Sequence, residues 1–414
     1  MAKDSATISG LMRHPLAVSL FDFARAQSLD IRLVGGAVRD ALAGWQTPSD
    51  KKGDLDFAVN IPIERFIQLA ETAKFKVFPT GLSHGTVTLV IGDHKAEITQ
   101  LRYDVDTDGR HADTRFTDDW QRDAQRRDFT INAIYLNSQG ELFDPCGGIA
   151  DLSARQLRFI GDATQRLEED YLRLLRGIRL LSEYPELHMS AAALEVMKSQ
   201  TQKLVHLSAE RKTAELSRIF AGAAVSRALH LMNRLGVDRA ILGAPIAAKF
   251  LANDKSPLAD SQLAGWFSTA ELADQLVLVA SDRKVLVQAI GSHLRLSRSQ
   301  QKALLSNIRL LSGKEDVLFA RLALDGDDWQ KSCFRLEKQA ALAYWQGCVS
   351  GIYCWQESRM RQIVFFARPT CPISGQDVIV RYNVSGREVG DILDRLTQRW
   401  IDSGFSLTKA ELLS

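Results

Sequence analysis

Between residues 31 and 99 the chain alternates short apolar runs with polar ones. Ile31-Arg32-Leu33-Val34, Leu55-Asp56-Phe57-Ala58-Val59, Gly85-Thr86-Val87-Thr88-Leu89-Val90 and Ala96-Glu97-Ile98-Thr99 are predicted strands. Pro62 to Lys74 carries apolar residues at helical spacing, with Pro62 where a first turn tolerates it. From about Asp151 the strand pattern fades, and Leu, Ala, Arg and Glu recur at helical spacing almost to the C-terminus. The pattern predicts an α+β protein with a mixed first third and a helical remainder. The polar stretch Asp104 to Trp120 is the expected loose connection, a mobile loop inside the first third.

Length and composition narrow the class. A chain of 414 residues exceeds what one hydrophobic core serves, so two or more domains are expected. No apolar run approaches the roughly 20 residues that cross a bilayer, which argues against an integral membrane protein. Acidic and polar residues precede the first apolar run, unlike a secretory signal, and the expected compartment is the cytoplasm. The five cysteines (Cys146, Cys333, Cys348, Cys354 and Cys371) contain no Cys-x-x-Cys pair, which suits reduced thiols rather than zinc or disulfides. A net charge of +2 leaves nucleic-acid binding to local patches.

Two features suggest chemistry. Asp54 and Asp56 stand two residues apart at the start of a strand, and a period of two directs both carboxylates to one face. Such a pair repels itself unless a cation joins it. Mg²⁺ bridging the pair and a nucleoside triphosphate would orient the α-phosphate and neutralise the pyrophosphate leaving group, with Glu97 a candidate third carboxylate. By itself an Asp-x-Asp also fits a solvated loop. Upstream, Leu33-Val34-Gly35-Gly36-Ala37-Val38-Arg39-Asp40 reads as strand, glycine pair and helix start. Gly35 and Gly36 allow close backbone approach to a phosphate, and Arg39 offers a donor fork one turn in, whereas the plain alternative is a strand-to-helix turn.

These residues carry a resemblance. Leu33 to Asp40, Asp54-Leu55-Asp56 and Arg126-Arg127-Asp128-Phe129-Thr130-Ile131-Asn132-Ala133 resemble, in order, the signatures of the class II tRNA nucleotidyltransferases. The likeness continues through Asp144-Pro145-Cys146-Gly147-Gly148-Ile149-Ala150-Asp151-Leu152 and Glu169-Asp170-Tyr171-Leu172-Arg173, about half the chain, with Pro372 to Asp377 similar to a common C-terminal segment. It implies a polymerase-β-like nucleotidyltransferase head followed by a predominantly helical neck, body and tail. The expected boundaries are 1–150 for the head, 151–222 for a nucleotide-reading neck, and 223–414 for an RNA-binding body and tail. It implies Mg²⁺ as cofactor, and CTP, ATP and a tRNA 3′ end as partners, with no protein partner indicated. Arg127 is similar to the family's nucleotide-binding arginine and Asp128 to its ribose 2′-hydroxyl sensor. Asn132 is read as structural, bonding backbone near the site, and Asp144 to Asp151 as a glycine-containing turn before a helix.

The stretch Arg166 to Leu180 is read as one amphipathic helix. Leu167, Tyr171, Leu174, Leu175 and Ile178 share a face, opposite Arg166, Glu169, Asp170, Arg173, Arg176 and Gly177. The ordinary explanation is a solvated face laced with ion pairs. In an enzyme using CTP and ATP, Asp170 would accept from the exocyclic amino group and Arg173 would donate to cytosine N3 or adenine N1. Uracil and guanine present the opposite pattern and would leave buried polar groups unpaired. The resemblance gives Glu-Asp-x-x-Arg these roles, with Glu169 holding Arg173; Arg176 and Arg179 would face the nucleotide or its phosphates.

The helical remainder holds scattered cations (Arg211, Lys212, Arg283, Lys284, Arg295, Arg298 and Lys302), none assigned to tRNA individually. The function expected is template-free addition or repair of the tRNA 3′-terminal CCA, with release of pyrophosphate. A bacterial poly(A) polymerase, a partial CC- or A-adding enzyme and a non-catalytic RNA-binding relative are the alternatives. None of the eight histidines precedes an Asp, which disfavours an appended metal phosphohydrolase.

Overall fold

The predicted strands assemble into one sheet in the computed structural model, which describes residues 2–45, 54–107, 112–246, 272–279, 286, 289, 294–311, 324–336, 339–349, 353 and 356–414. Helices α1 (Ala2–Met12) and α2 (Pro15–Ala26) precede β1 (Ile31–Val34) and α3 (Gly36–Ala43). Then come β2 (Asp54–Val59), α4 (Ile63–Thr72), β3 (Lys76–Gly81), β4 (Thr86–Ile91) and β5 (His94–Gln100). The ribbon β6 (Arg102–Thr107) and β7 (Ala112–Phe116), helix α5 (Trp120–Gln125), and the short strands β8 (Tyr135–Leu136) and β9 (Leu142–Phe143) complete the mixed part. The sheet order is β3-β4-β5-β2-β1-β8-β9. Strands β2 and β5 run parallel, with Asp54 opposite Lys95 and Asp56 opposite Glu97; the other pairs are antiparallel.

Burial explains which part of β2 stays open. Leu55, Phe57 and Val59 point into the core on one face, where Phe21 of α2 meets Phe57 edge-on at 5.7 Å. On the other face Ala58 is covered by Val34, Trp120, Ala124 and Tyr135, while Asp56 remains exposed. The carboxylate thus stands where one sheet face leaves its core.

The expected loose stretch from Asp104 to Trp120 is instead largely ordered. Strands β6 and β7 pair antiparallel, Leu101 and Thr117 close the base at 3.0 Å, and Asp119 caps α5 through the Gln121 N–H at 2.8 Å. Residues 108–111 lie outside the described part. Tyr103 and Val105 alternate with Asp104 and Asp106, a ribbon pattern that high polarity makes resemble a loop.

The helical part continues with α6 (Gly148–Ser153), α7 (Ala163–Glu169), α8 (Leu172–Glu183), α9 (Ala191–Gln200), α10 (Ala209–Phe220), α11 (Val225–Leu235) and α12 (Val237–Leu242). By internal contacts the chain forms two units, Met1–Gly243 with Ser292–Arg295, and Ala244–Gly291 with Leu296–Ser414. In the second unit the described elements are helical, among them Arg298–Leu311, Gly375–Tyr382 and Arg387–Asp402. Phe334, Ile373, Trp400, Ile401 and Leu412 form a core there, and Ser374 with Asp377 makes a capping box that accounts for the Pro372 to Asp377 motif. Arg283, Lys284 and Cys354 lie outside the described residues. No described helix is long and apolar enough to cross a membrane.

Candidate active site

Strand β1 is followed by Gly35, whose φ of +81° and ψ of −140° suit glycine alone, and α3 begins at the next residue. A Cβ at Gly35 would sit 3.4 Å from Asp56 Oδ2, so the glycine turn and the carboxylate are in contact. Asp56 and Glu97, adjacent in parallel register, are both exposed and line one cavity of about 1110 Å³. Asp54 opens β2 two residues earlier, and its side chain lies outside the described part. Gly36, Arg127, Asp128, Asp170, Arg173 and Arg176 line the same cavity. The structure therefore brings the described members of the predicted set together.

Arg39 also borders the cavity, but its guanidinium is engaged. It is 4% exposed and donates to Asp40 Oδ1 at 2.9 Å, to Asn132 Oδ1 at 2.7 Å and to the Tyr184 hydroxyl at 2.6 Å. Tyr184 in turn donates to Asp40 and stacks on Trp45 with ring centroids 4.3 Å apart. The Asn132 side chain, expected to bond backbone, bonds side chains instead: Oδ1 accepts from Arg39, and the amide Nδ2 donates to Asp128 Oδ1 at 3.1 Å. Burial opposes ionisation of Asp128, yet Arg176, the Asn132 amide and the Phe129 N–H hold its carboxyl below the ordinary value.

The paired arginines are organised by a residue that carried no signal of its own. Asp123, 1% exposed, accepts from Arg126 Nε at 2.9 Å, from Arg127 Nη2 at 3.0 Å and from the Tyr135 hydroxyl at 2.8 Å. Its burial favours the neutral acid, but Arg127 and Arg126 outweigh that and hold the carboxyl far below the usual range. One carboxylate against two guanidinium groups leaves this cluster, whose two arginines line the cavity, net positive.

The stretch from Arg166 to Leu180 is not one helix. Helix α7 ends at Glu169, Asp170 is extended (φ −156°, ψ 102°), and α8 starts at Leu172. The Asp170 carboxylate accepts the Leu172 N–H at 3.1 Å, a local bond that competes with helix continuation. Nor is the polar face solvated. Arg173, 7% exposed, donates to Glu169, to the Arg166 carbonyl at 2.8 Å and to the Arg126 carbonyl at 2.7 Å. Asp170 Oδ2 accepts from Arg211 of α10 at 2.8 Å. Arg176 lies 3.6 Å from both Asp128 and Glu215, and Arg179 lies 2.9 Å from Glu215. Arg211 was visible in the sequence only as one of several scattered cations, and Glu215 not at all; their spacing of four on α10 is the signal that turns one to Asp170 and the other to α8.

Past the arginine motif, Gly147 at φ +74° precedes α6, and Asp144 accepts the Gly148 and Ile149 N–H groups at 2.7 and 2.8 Å. This is the glycine-containing turn expected there. Arg295 pairs with Glu210, while Arg298 and Lys302 border a separate cavity of about 430 Å³.

Residues 31–158 match the family described as the poly A polymerase head domain. The Mus musculus protein named CCA tRNA nucleotidyltransferase 1, mitochondrial, is 33% identical over 402 residues, covering 96% of this chain and 88% of that protein. The CCA-adding enzyme of Bacillus stearothermophilus, solved with CTP, superposes with a TM-score of 0.70 at 23% identity, over 94% of this chain and 92% of the other. A CCA-adding enzyme solved with ATP gives a TM-score of 0.69 at 19% identity, over 98% of this chain and 96% of the other. At those identities the two structures establish the fold alone, a sheet-containing N-terminal head with a helical remainder.

Proposed function

The chain belongs to the CCA tRNA nucleotidyltransferase family, and from that premise we propose that the cavity beside Asp56 carries template-free addition of C and A to a tRNA 3′ end. The observation that supports this reading most is the contact of the Gly35 turn with Asp56, in a cavity that also holds Arg127, Asp128, Asp170 and Arg173. A glycine turn leading into a helix start receives phosphates, and a carboxylate beside it receives a cation.

The donor set fits a hard divalent ion, because Asp56 and Glu97 offer carboxylate oxygens side by side on the open end of the sheet. Asp54 and Asp56, with Glu97 as a third candidate, would hold Mg²⁺, which would supply charge neutralisation at the triphosphate. The protein's own groups do the rest. Arg127 and Arg176 attract the triphosphate, Asp128 accepts the ribose 2′-hydroxyl proton, and Asp170 with Arg173 reads the base edge. Arg179 steadies Arg176 through the shared Glu215. Arg39, buried and bonded to Asp40, Asn132 and Tyr184, stiffens the turn.

The proposed division of labour is head 1–150, neck 151–222 and RNA-binding body and tail 223–414. The cytoplasm is the proposed compartment, which fractionation of cells tests directly because the mouse relative is named mitochondrial. A second reading, poly(A) synthesis, is favoured by the description of the head-domain family alone. Incubating the protein with tRNAs ending before C, after CC and after CCA, with each nucleotide supplied separately, distinguishes the two. CCA addition stops at a defined length; poly(A) synthesis gives long tails from ATP.

A further inference from the structure

We infer that Asn132, oriented by Arg39, is a positioning residue for sugar selection, so that the glycine-led helix α3 and the Asp128 carboxylate act as one unit. The inference rests on the reading of Asp128 as the ribose sensor. It goes beyond that reading by assigning work to Asn132, Arg39 and Tyr184.

The chemistry fixes a direction along this chain of contacts. A guanidinium only donates, so the Asn132 amide must turn Oδ1 toward Arg39, and their separation is 2.7 Å. Nδ2, which only donates, then faces the Asp128 Oδ1 acceptor at 3.1 Å. That oxygen also accepts the Phe129 N–H at 2.8 Å and is thereby satisfied. Oδ2 is left toward Arg176, 3.6 Å away, on the cavity side. A carboxylate with one oxygen tied back offers the other in a fixed direction, which is what distinguishing a 2′-hydroxyl from a hydrogen demands.

Arg39 can do this because it is itself immobilised. Asp40 and the Tyr184 hydroxyl take two more of its donors, and Tyr184, from the end of α8, is 4% exposed. The contacts close a ring: Tyr184 to Arg39, Asn132, Asp128 and Arg176, which returns to α8. A sugar sensor braced at both ends of one helix needs no loop to hold it.

The test compares kcat/KM for CTP with kcat/KM for 2′-deoxy-CTP in Asn132→Asp, Tyr184→Phe and Asp128→Ala, with melting temperatures alongside. Asn132→Asp keeps the shape and the Arg39 contact but turns the donor facing Asp128 into a second carboxylate oxygen. The CTP preference is expected to fall roughly five- to tenfold, and less in Tyr184→Phe, whose lost hydroxyl lies two contacts away. If Asn132→Asp does not fold, Tyr184→Phe decides by itself: a lowered preference supports the inference and an unchanged one overturns it. A preference lowered in Asp128→Ala but intact in the other two refutes the positioning role alone. A preference unchanged in Asp128→Ala removes the ribose-sensing reading, and the inference with it.

Discussion

Arg211 of α10 donates to Asp170 Oδ2 at 2.8 Å, so the carboxylate assigned to base reading is already ion-paired before any nucleotide arrives. Its Oδ1 accepts the Leu172 N–H, which leaves the Arg211 side as the one that an incoming amino group must share or displace. Asp170→Ala is expected to let UTP and GTP compete better by about one to two decades, the worth of a charge-assisted hydrogen bond of roughly 1.5–3 kcal/mol. Incorporation of all four nucleotides measures it. Unchanged selectivity with a slightly altered melting temperature would reduce the pair to a half-exposed salt bridge.

Asp123 predicts a stability effect with a definite sign. Asp123→Asn leaves Arg126 and Arg127 facing each other without their anion and should cost about 3–5 kcal/mol. Because the folded-state pKa is depressed, the wild-type contribution is fully present above the unfolded value, about 3.9, and is lost as pH falls below it. The gap in unfolding free energy between wild type and Asp123→Asn should therefore narrow below about pH 4. A gap that stays constant down to pH 3 would contradict the assignment.

Gly35→Ala should cost roughly 1–3 kcal/mol, because φ +81° with ψ −140° is a backbone conformation that side chains with a Cβ avoid. The turn whose backbone it would strain touches Asp56 Oδ2, 3.4 Å from the added Cβ, so kcat/KM for C and for A should fall together while KM for tRNA holds. Steady-state kinetics on both steps check this. Loss of only one step would place the glycine turn in base choice instead.

How far the sequence was legible follows from what its signals measure. Period-two alternation found β1, β2, β4 and β5, whose alternate positions are buried. It missed β3, whose residues Lys76 to Gly81 are mostly exposed at the sheet edge, and the β6–β7 ribbon, whose polar alternation looked like loop. The motifs located the cavity because its residues are close in sequence to their structural anchors. What they could not reveal was the charge on Arg39 and Arg173 turning inward, since helical periodicity records which face is polar and not what covers it. Nor could one periodic pattern expose the break at Asp170, where a side chain rather than a glycine or proline ends the helix.

The most direct measurement is nucleotide addition by Asp56→Ala on tRNAs ending before C and after CC, with Mg²⁺ as the only divalent ion. Both C and A addition should be lost with the melting temperature unchanged, since Asp56 is exposed and outside the core. Wild-type rates of either addition in a folded Asp56→Ala protein would contradict the proposed metal role of Asp56.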